Sequence, residues 1–253
     1  MGPMTDLVTV SDAGPVRTVR MNRPDKKNAL TASMYEAMAE ALESANSQAD
    51  IRCVVIAGGP SAFSAGNDLQ EFLQAATSGE GLRPAVVRFL HALARSERPL
   101  VAAVQGVAVG VGTTMLLHCD HVVAGTDARF STPFVSLGLV PEAASSLLAP
   151  RLMGHQRAFA LLVMGRSLDA AAAQACGLVN TVVAPSDVDV EAMKAAHEIA
   201  ALPVEAMTAA RRLMRGTPDD VVARIDEEVR LFKQRLQSAE ARAAFTAFLA
   251  RAR

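Results

Sequence analysis

Three short apolar runs, CVVIAG at 53–58, PLVAAVQG at 99–106 and HVVAG at 121–125, most narrowly limit the folds open to this chain. None alternates apolar with polar residues, as a strand with one wet face would, and each closes on glycine. This is the pattern of a strand covered on both faces. The covering layers are found between the runs, where roughly 68–76, 84–96 and 110–118 read as helices. Short buried strands alternating with helices make the chain an α/β protein.

Ahead of these runs, LVTV (7–10) and VRTVRM (16–21) flank the turn residues DAGP and read as a hairpin. Thr31 is placed to cap a helix in which Met34, Met38, Leu42 and Ala45 share one face. After Gly177 and the strand-like LVNTVV the character changes. From about 188 the chain reads as helical, interrupted at Leu202-Pro203 and at Gly216-Thr217-Pro218. This divides it into a core of residues 1–187 and a helical region of residues 188–253. In the latter, Val222, Ile225, Val229, Phe232 and Leu236 form an amphipathic stripe that must fold back on the core or pack on another subunit.

The 25 basic and 26 acidic residues nearly cancel and are spread along the chain, which provides no broad field for nucleic acid or an anionic membrane. An anionic ligand must therefore be held locally. Cys53, Cys119 and Cys176 fit neither a disulfide framework nor a metal site and read as small buried residues of a reducing cytoplasm. His91, His118, His121, His155 and His197 show no ligand spacing, so no metal is expected. No apolar run is long enough to span a bilayer, the N-terminus lacks the features of a signal peptide, and the final RAR is not an SKL-type address. These features point to a soluble, cytoplasmic protein.

Three stretches carry chemistry. In LGLVPEAASSLL (137–148) the carboxylate of Glu142 lies between apolar and small residues, and an ionised carboxylate buried without compensation is costly. Following Pro141, it reads either as first-turn acid at a helix start or as a functional group. In AFSAGNDLQEF (62–72), Ala65-Gly66 precedes Asn67 and Asp68, which can start a helix, and a turn of this kind offers backbone N–H groups to an anion or oxyanion. QGVAVGVGTTMLLHCD (105–120) provides a second glycine-containing turn into a helix. It is neither a dinucleotide fingerprint nor a P-loop, which excludes NAD and ATP there.

MNRPDKKNAL (21–30), AFSAGNDL (62–69), RPLVAAVQGVAVGVG (98–112), ARFSTPFVSLGLVPEAASS (128–146) and AAAAQACGLVNTVV (170–183) occur in the order seen in the crotonase, or enoyl-CoA hydratase/isomerase, superfamily. The resemblance covers nearly the whole chain. It implies a spiral of ββα repeats, a C-terminal helical trimerisation region, a homotrimer or dimer of trimers, and an acyl-CoA substrate of fatty-acid metabolism. Coenzyme A arrives as part of that substrate, and no other cofactor is implied. The resemblance also places the oxyanion hole on the N–H groups of Ala65 and Val111, where an enolate would be stabilised. Val111 stands where hydratases usually have glycine, so its side chain is expected to narrow the pocket.

The two glutamates that hydratases use correspond here to Thr114 and Phe134, neither of which can act as a general base. Glu142 instead resembles the catalytic glutamate of the peroxisomal-type Δ3,Δ2-enoyl-CoA isomerases, which need one carboxylate. Its flank of Leu137, Leu139 and Val140 is expected to raise its pKa. For coenzyme A the resemblance implies Ala29, Ala65, Gly66, Asn67, Asp68, Leu69 and Gly110, with Lys26 and Lys27 at phosphates. In the last helix Phe245, Phe248 and Arg251 are expected near a coenzyme A site, and residues 72–81 beside the acyl pocket. Two alternatives remain open: an enoyl-CoA hydratase or other crotonase-type lyase or hydrolase, and a non-catalytic acyl-CoA-binding protein.

Overall fold

The computed structural model describes residues 7–68, 71 and 82–251, with backbone alone for 248–251. Strands β1 (Val8–Ala13) and β2 (Val16–Met21) form the expected hairpin, pairing from Val8 with Met21 to Ala13 with Val16. Helix α1 (Ala32–Ser47) follows, capped by the Thr31 side chain, which accepts from the Met34 N–H. The glycine-closed runs become β3 (Cys53–Ala57), β5 (Leu100–Val104) and β7 (His121–Gly125). Together with β1, β2 and β10 (Thr181–Val183) they make a six-stranded sheet in the order β1-β2-β3-β5-β7-β10, parallel from β2 onward.

Each of the three runs is followed by a short strand of a second sheet: β4 (Ala62–Ser64), β6 (Val107–Val109) and β8 (Arg129–Ser131), with β9 (Leu168–Asp169) at its edge. The chain therefore climbs in repeated passes from the large sheet to the small one and on through helical segments, the expected ββα spiral. The closing glycines mark the corners between sheets. Gly106 turns with φ 61°, and a Cβ there would lie 2.3 Å from the Ser61 carbonyl oxygen, so no other residue fits.

The absence of alternation in these runs has a direct structural cause. In β3, Val54 and Ile56 enter the main core, whereas Cys53, Val55 and Ala57 enter a second one. The main core also holds α1 and α2 (Pro84–Ala94), and the second is closed by α7 (Val188–Ala200) through Val188, Ala192, Ala196 and Ala200. Between these lie α3 (Val111–Thr114), α4 (Ser145–Met153), α5 (His155–Leu162) and α6 (Ala170–Ala175).

From Val188 the chain is helical as expected, with α8 (Val204–Arg215), α9 (Asp219–Leu236) and α10 (Ala239–Arg251) separated at Leu202-Pro203 and at Gly216–Pro218. The α9 stripe folds back: Val222, Ile225, Phe232 and Leu236 are buried in the chain's own main core, and Val229 packs against it. Of the two places open to the stripe, the chain's own core is the one it covers. Among the described residues the most exposed large apolar side chains lie on α8, where Leu213 and Met214 are 86% and 88% exposed. No helix among the described residues is long and apolar enough to cross a membrane.

Candidate active site

The two quoted stretches PDKKNAL and AFSAGND zip together to make the floor of the site. Asn28, buried with φ 54°, accepts from the Arg23 N–H and donates to the Ala62 and Phe63 carbonyls. Ser64 Oγ donates to the Asn28 carbonyl at 2.9 Å and accepts from the Gly66 N–H at 3.1 Å. The Ala65 N–H donates to the Lys27 carbonyl, the Leu30 N–H to the Gly66 carbonyl, and the Asp68 N–H to the Leu30 carbonyl. A Cβ at Gly66, whose φ is 87°, would come within 2.8 Å of the Val109 carbonyl oxygen, so glycine is required where this loop meets β6.

Over this floor lies a cavity of about 220 Å³. The sequence-predicted residues Ala65, Gly66, Asn67, Gly110, Glu142 and Phe245 come together in its wall, with Val109, Pro133, Phe134, Leu137, Leu139 and Phe232 completing a mostly apolar lining. Two readings need correction here. The Ala65 N–H, expected in the oxyanion hole, is committed to Lys27 at 2.8 Å. Among the described residues, the Asn67 and Val111 N–H groups, the latter opening α3, donate to no acceptor. Val111 does not narrow the pocket, because its side chain is buried in the main core and is not among the lining residues.

Glu142 is the chemical centre of this wall. The helix begins only at Ser145, so Glu142 is not a first-turn acid; it precedes a turn in which Ala143 and Ala144 take φ of 61° and 53°. The residue is 1% exposed, and neither carboxyl oxygen has a hydrogen-bond partner among the described residues. Burial, and then the nearby charge of Glu228, pushes its pKa up to about 8. The apolar flank accounts for the first cause through Leu137 and Leu139. The second was missed, although Glu228 lies three residues after Ile225 and four before Phe232, on the buried face of the stripe.

Other groups fall into place around it. Tyr35, the single tyrosine, is buried and donates to Asn67 Oδ1 at 2.6 Å, fixing that side chain beside the cavity. His118, read as structural, donates from Nε2 to the Ala143 carbonyl at 2.8 Å; burial lowers its pKa to about 4 and keeps the ring neutral. Thr114 is buried, its hydroxyl without a partner among the described residues, and it does not line the cavity, whereas Phe134 does.

Of the residues implied for coenzyme A, Asp68 is not free to bind it. Its carboxylate pairs with Arg23 at 2.7 Å and accepts from the Glu71 N–H. Lys26 and Lys27 are exposed at the edge of the floor and Ala29 is half-buried, none of them in the cavity wall. Leu69, residues 72–81 and the side chains of Phe248 and Arg251 lie outside the described residues. Among the described residues no three His, Cys, Asp or Glu side chains gather as a metal site would require.

Residues 12–253 match the family model described as enoyl-CoA hydratase/isomerase. The chain belongs to this family, the crotonases. It is 34% identical over 251 residues to the 2,3-dehydroadipyl-CoA hydratase of Escherichia coli K12, covering 97% of this chain and 96% of that one. It is 35% identical over 225 residues to rat enoyl-CoA delta isomerase 2, covering 87% of this chain and 57% of that longer protein. A solved structure of Pseudomonas aeruginosa OdaA superposes with a TM-score of 0.92 at 42% identity, over 97% of this chain and 99% of that one. The protein is thus a crotonase-family acyl-CoA enzyme, and the family includes both hydratases and isomerases.

Proposed function

We propose that this crotonase moves the double bond of a 3-enoyl-CoA to the 2-position. The observation that carries the reading is the carboxylate of Glu142, without a hydrogen-bond partner among the described residues, in an apolar cavity, beside a wall containing Asn67 and Gly110. Glu142 takes a proton from carbon 2, and the electron pair of that C–H bond enters conjugation with the thioester carbonyl and the 3,4 double bond. The resulting dienolate oxygen accepts from the Asn67 and Val111 N–H groups, a contact in which loss of one donor typically costs roughly 3 to 4 kcal/mol of activation free energy. Glu142 then returns the proton to carbon 4. The base and acid steps use one group, so no second carboxylate is needed.

Hydration would need one group to activate water and another to protonate carbon 2. The hydratase relatives keep that reading in play, but Phe134 and Thr114 stand where the resemblance implies its glutamates. The deciding experiment presents the purified protein with 3-enoyl-CoA and 2-enoyl-CoA in parallel. Faster isomerisation supports the proposal, faster hydration replaces it, and binding without turnover indicates an acyl-CoA-binding protein. Thr114→Ala should leave isomerisation within about severalfold, because its hydroxyl is outside the cavity wall and moves no proton. A loss comparable to that of a missing base would show that Thr114 takes part.

A homotrimer or dimer of trimers is the assembly we propose. Sedimentation across micromolar concentrations tests it, and a monomer throughout would exclude it.

A further inference from the structure

We propose that Glu228 is the positioning residue of this site: from α9, its carboxylate ties down the left-handed turn that delivers Glu142 to the cavity. The inference rests on Glu142 being the base. Ala143 and Ala144 both hold positive φ, a region that residues with a Cβ avoid and that persists only where the surroundings enforce it. Here the surroundings are specific. Glu228 accepts from the Ala144 N–H at 2.6 Å, from the Ser146 N–H at 3.0 Å and from Ser146 Oγ. His118 holds the Ala143 carbonyl, and the Ser145 N–H closes onto the Glu142 carbonyl at 3.0 Å. The turn between Glu142 and α4 is thereby held from both sides, and Glu228 supplies two of its backbone ties and a third to the Ser146 side chain.

The contrast between the two acids points the same way. Glu228 faces three donors, an arrangement suited to an ionised carboxylate, whereas Glu142 faces none. Burial raises the Glu228 pKa to about 7 against the lowering effect of its donors, still below the value of about 8 for Glu142, so negative charge settles first on Glu228 as pH rises, and its field strengthens the hold of Glu142 on a proton, making it a stronger base. Few other groups interfere. Tyr35, facing from α1, has its pKa raised well above the usual value by burial and then by the Glu142 charge, and stays neutral. His118 is neutral, and Arg224, one turn earlier on α9, reaches Ser146 Oγ at 3.3 Å and offsets part of the Glu228 charge.

The test compares Glu228→Gln and Glu228→Asp with the wild type by two readouts. One is the pH midpoint of the infrared band of the protonated Glu142 carboxyl in ligand-free protein, assigned with Glu142→Gln; the other is kcat and KM for 3-enoyl-CoA. Glu228→Gln removes the charge and should lower the midpoint by about one pH unit or more. It should also lower kcat about tenfold with KM nearly unchanged, since the cavity lining is intact. Glu228→Asp keeps the charge and loses the reach, so kcat should fall while the midpoint stays near that of the wild type.

An unmoved midpoint together with an unchanged kcat in Glu228→Gln overturns the proposal, as does a loss confined to KM. If Glu228→Gln fails to fold, the same comparison is made in an Ala144→Gly background, where the left-handed turn no longer needs enforcing. A wild type inert towards 3-enoyl-CoA overturns the isomerase reading, and the infrared midpoint alone then decides the role of Glu228.

Discussion

Glu142→Gln should cut isomerisation of 3-enoyl-CoA by at least about a hundredfold, the lower end of what a general base contributes. Glutamine keeps the size and polarity of the side chain but cannot accept the proton from carbon 2. Binding should survive, because the N–H groups of Asn67 and Val111 and the apolar lining are untouched. The loss should therefore appear in kcat, with the dissociation constant for a saturated acyl-CoA nearly unchanged. Near-normal isomerisation by Glu142→Gln would return Glu142 to a purely structural role. In the wild type, kcat/KM should rise with pH towards the Glu142 pKa of about 8, since only the ionised form is a base.

The same substitution should make the protein more stable at pH 8. The Glu142 pKa is raised in the folded state from about 4.5 to about 8, so between these values the folded chain holds a proton that the unfolded chain has released. Stability associated with this group is thus fully present below about pH 4.5 and is lost as pH rises through about 8. Glutamine does not titrate and escapes that loss. Its unpartnered amide remains buried, which reduces the gain to about 2 kcal/mol at pH 8, or roughly 4 to 8 °C in Tm for a domain of this size. The advantage should vanish near about pH 6 and reverse below it in thermal melts of the two proteins, because the cost of the buried amide does not depend on pH. Equal melting temperatures at pH 8 would mean that the Glu142 carboxylate finds a partner in the native state. A substitution that raises stability while removing activity is the signature of a group kept buried for its chemistry.

Much of this was legible from local pattern. The unalternated runs at 53–58, 99–106 and 121–125 recorded that both strand faces are covered, and the structure supplies α7 on one side and the main core on the other. Thr31 as a cap, the two proline-marked helix breaks and the buried α9 stripe were equally visible, because caps, breakers and periodicity act over a few residues. The prominence of Glu142 was legible too, since a lone acid among apolar neighbours must be either partnered or put to use.

What sequence alone determined, then, was which elements form, which faces they bury, and that one carboxylate stands out. Tertiary structure alone decided which polar groups are already paired. The Ala65 N–H is closed off by a carbonyl from the 27–30 turn, leaving Asn67 as the open amide, and Asp68 is taken by Arg23. It alone brought Glu228 from α9 beneath the turn after Glu142, and Tyr35 from α1 against Asn67. The physical reason is one of range. Hydrophobic periodicity and capping are properties of neighbours along the chain, whereas hydrogen-bond satisfaction and the electrostatics of a buried acid depend on groups within a few ångströms in space, which the sequence does not place.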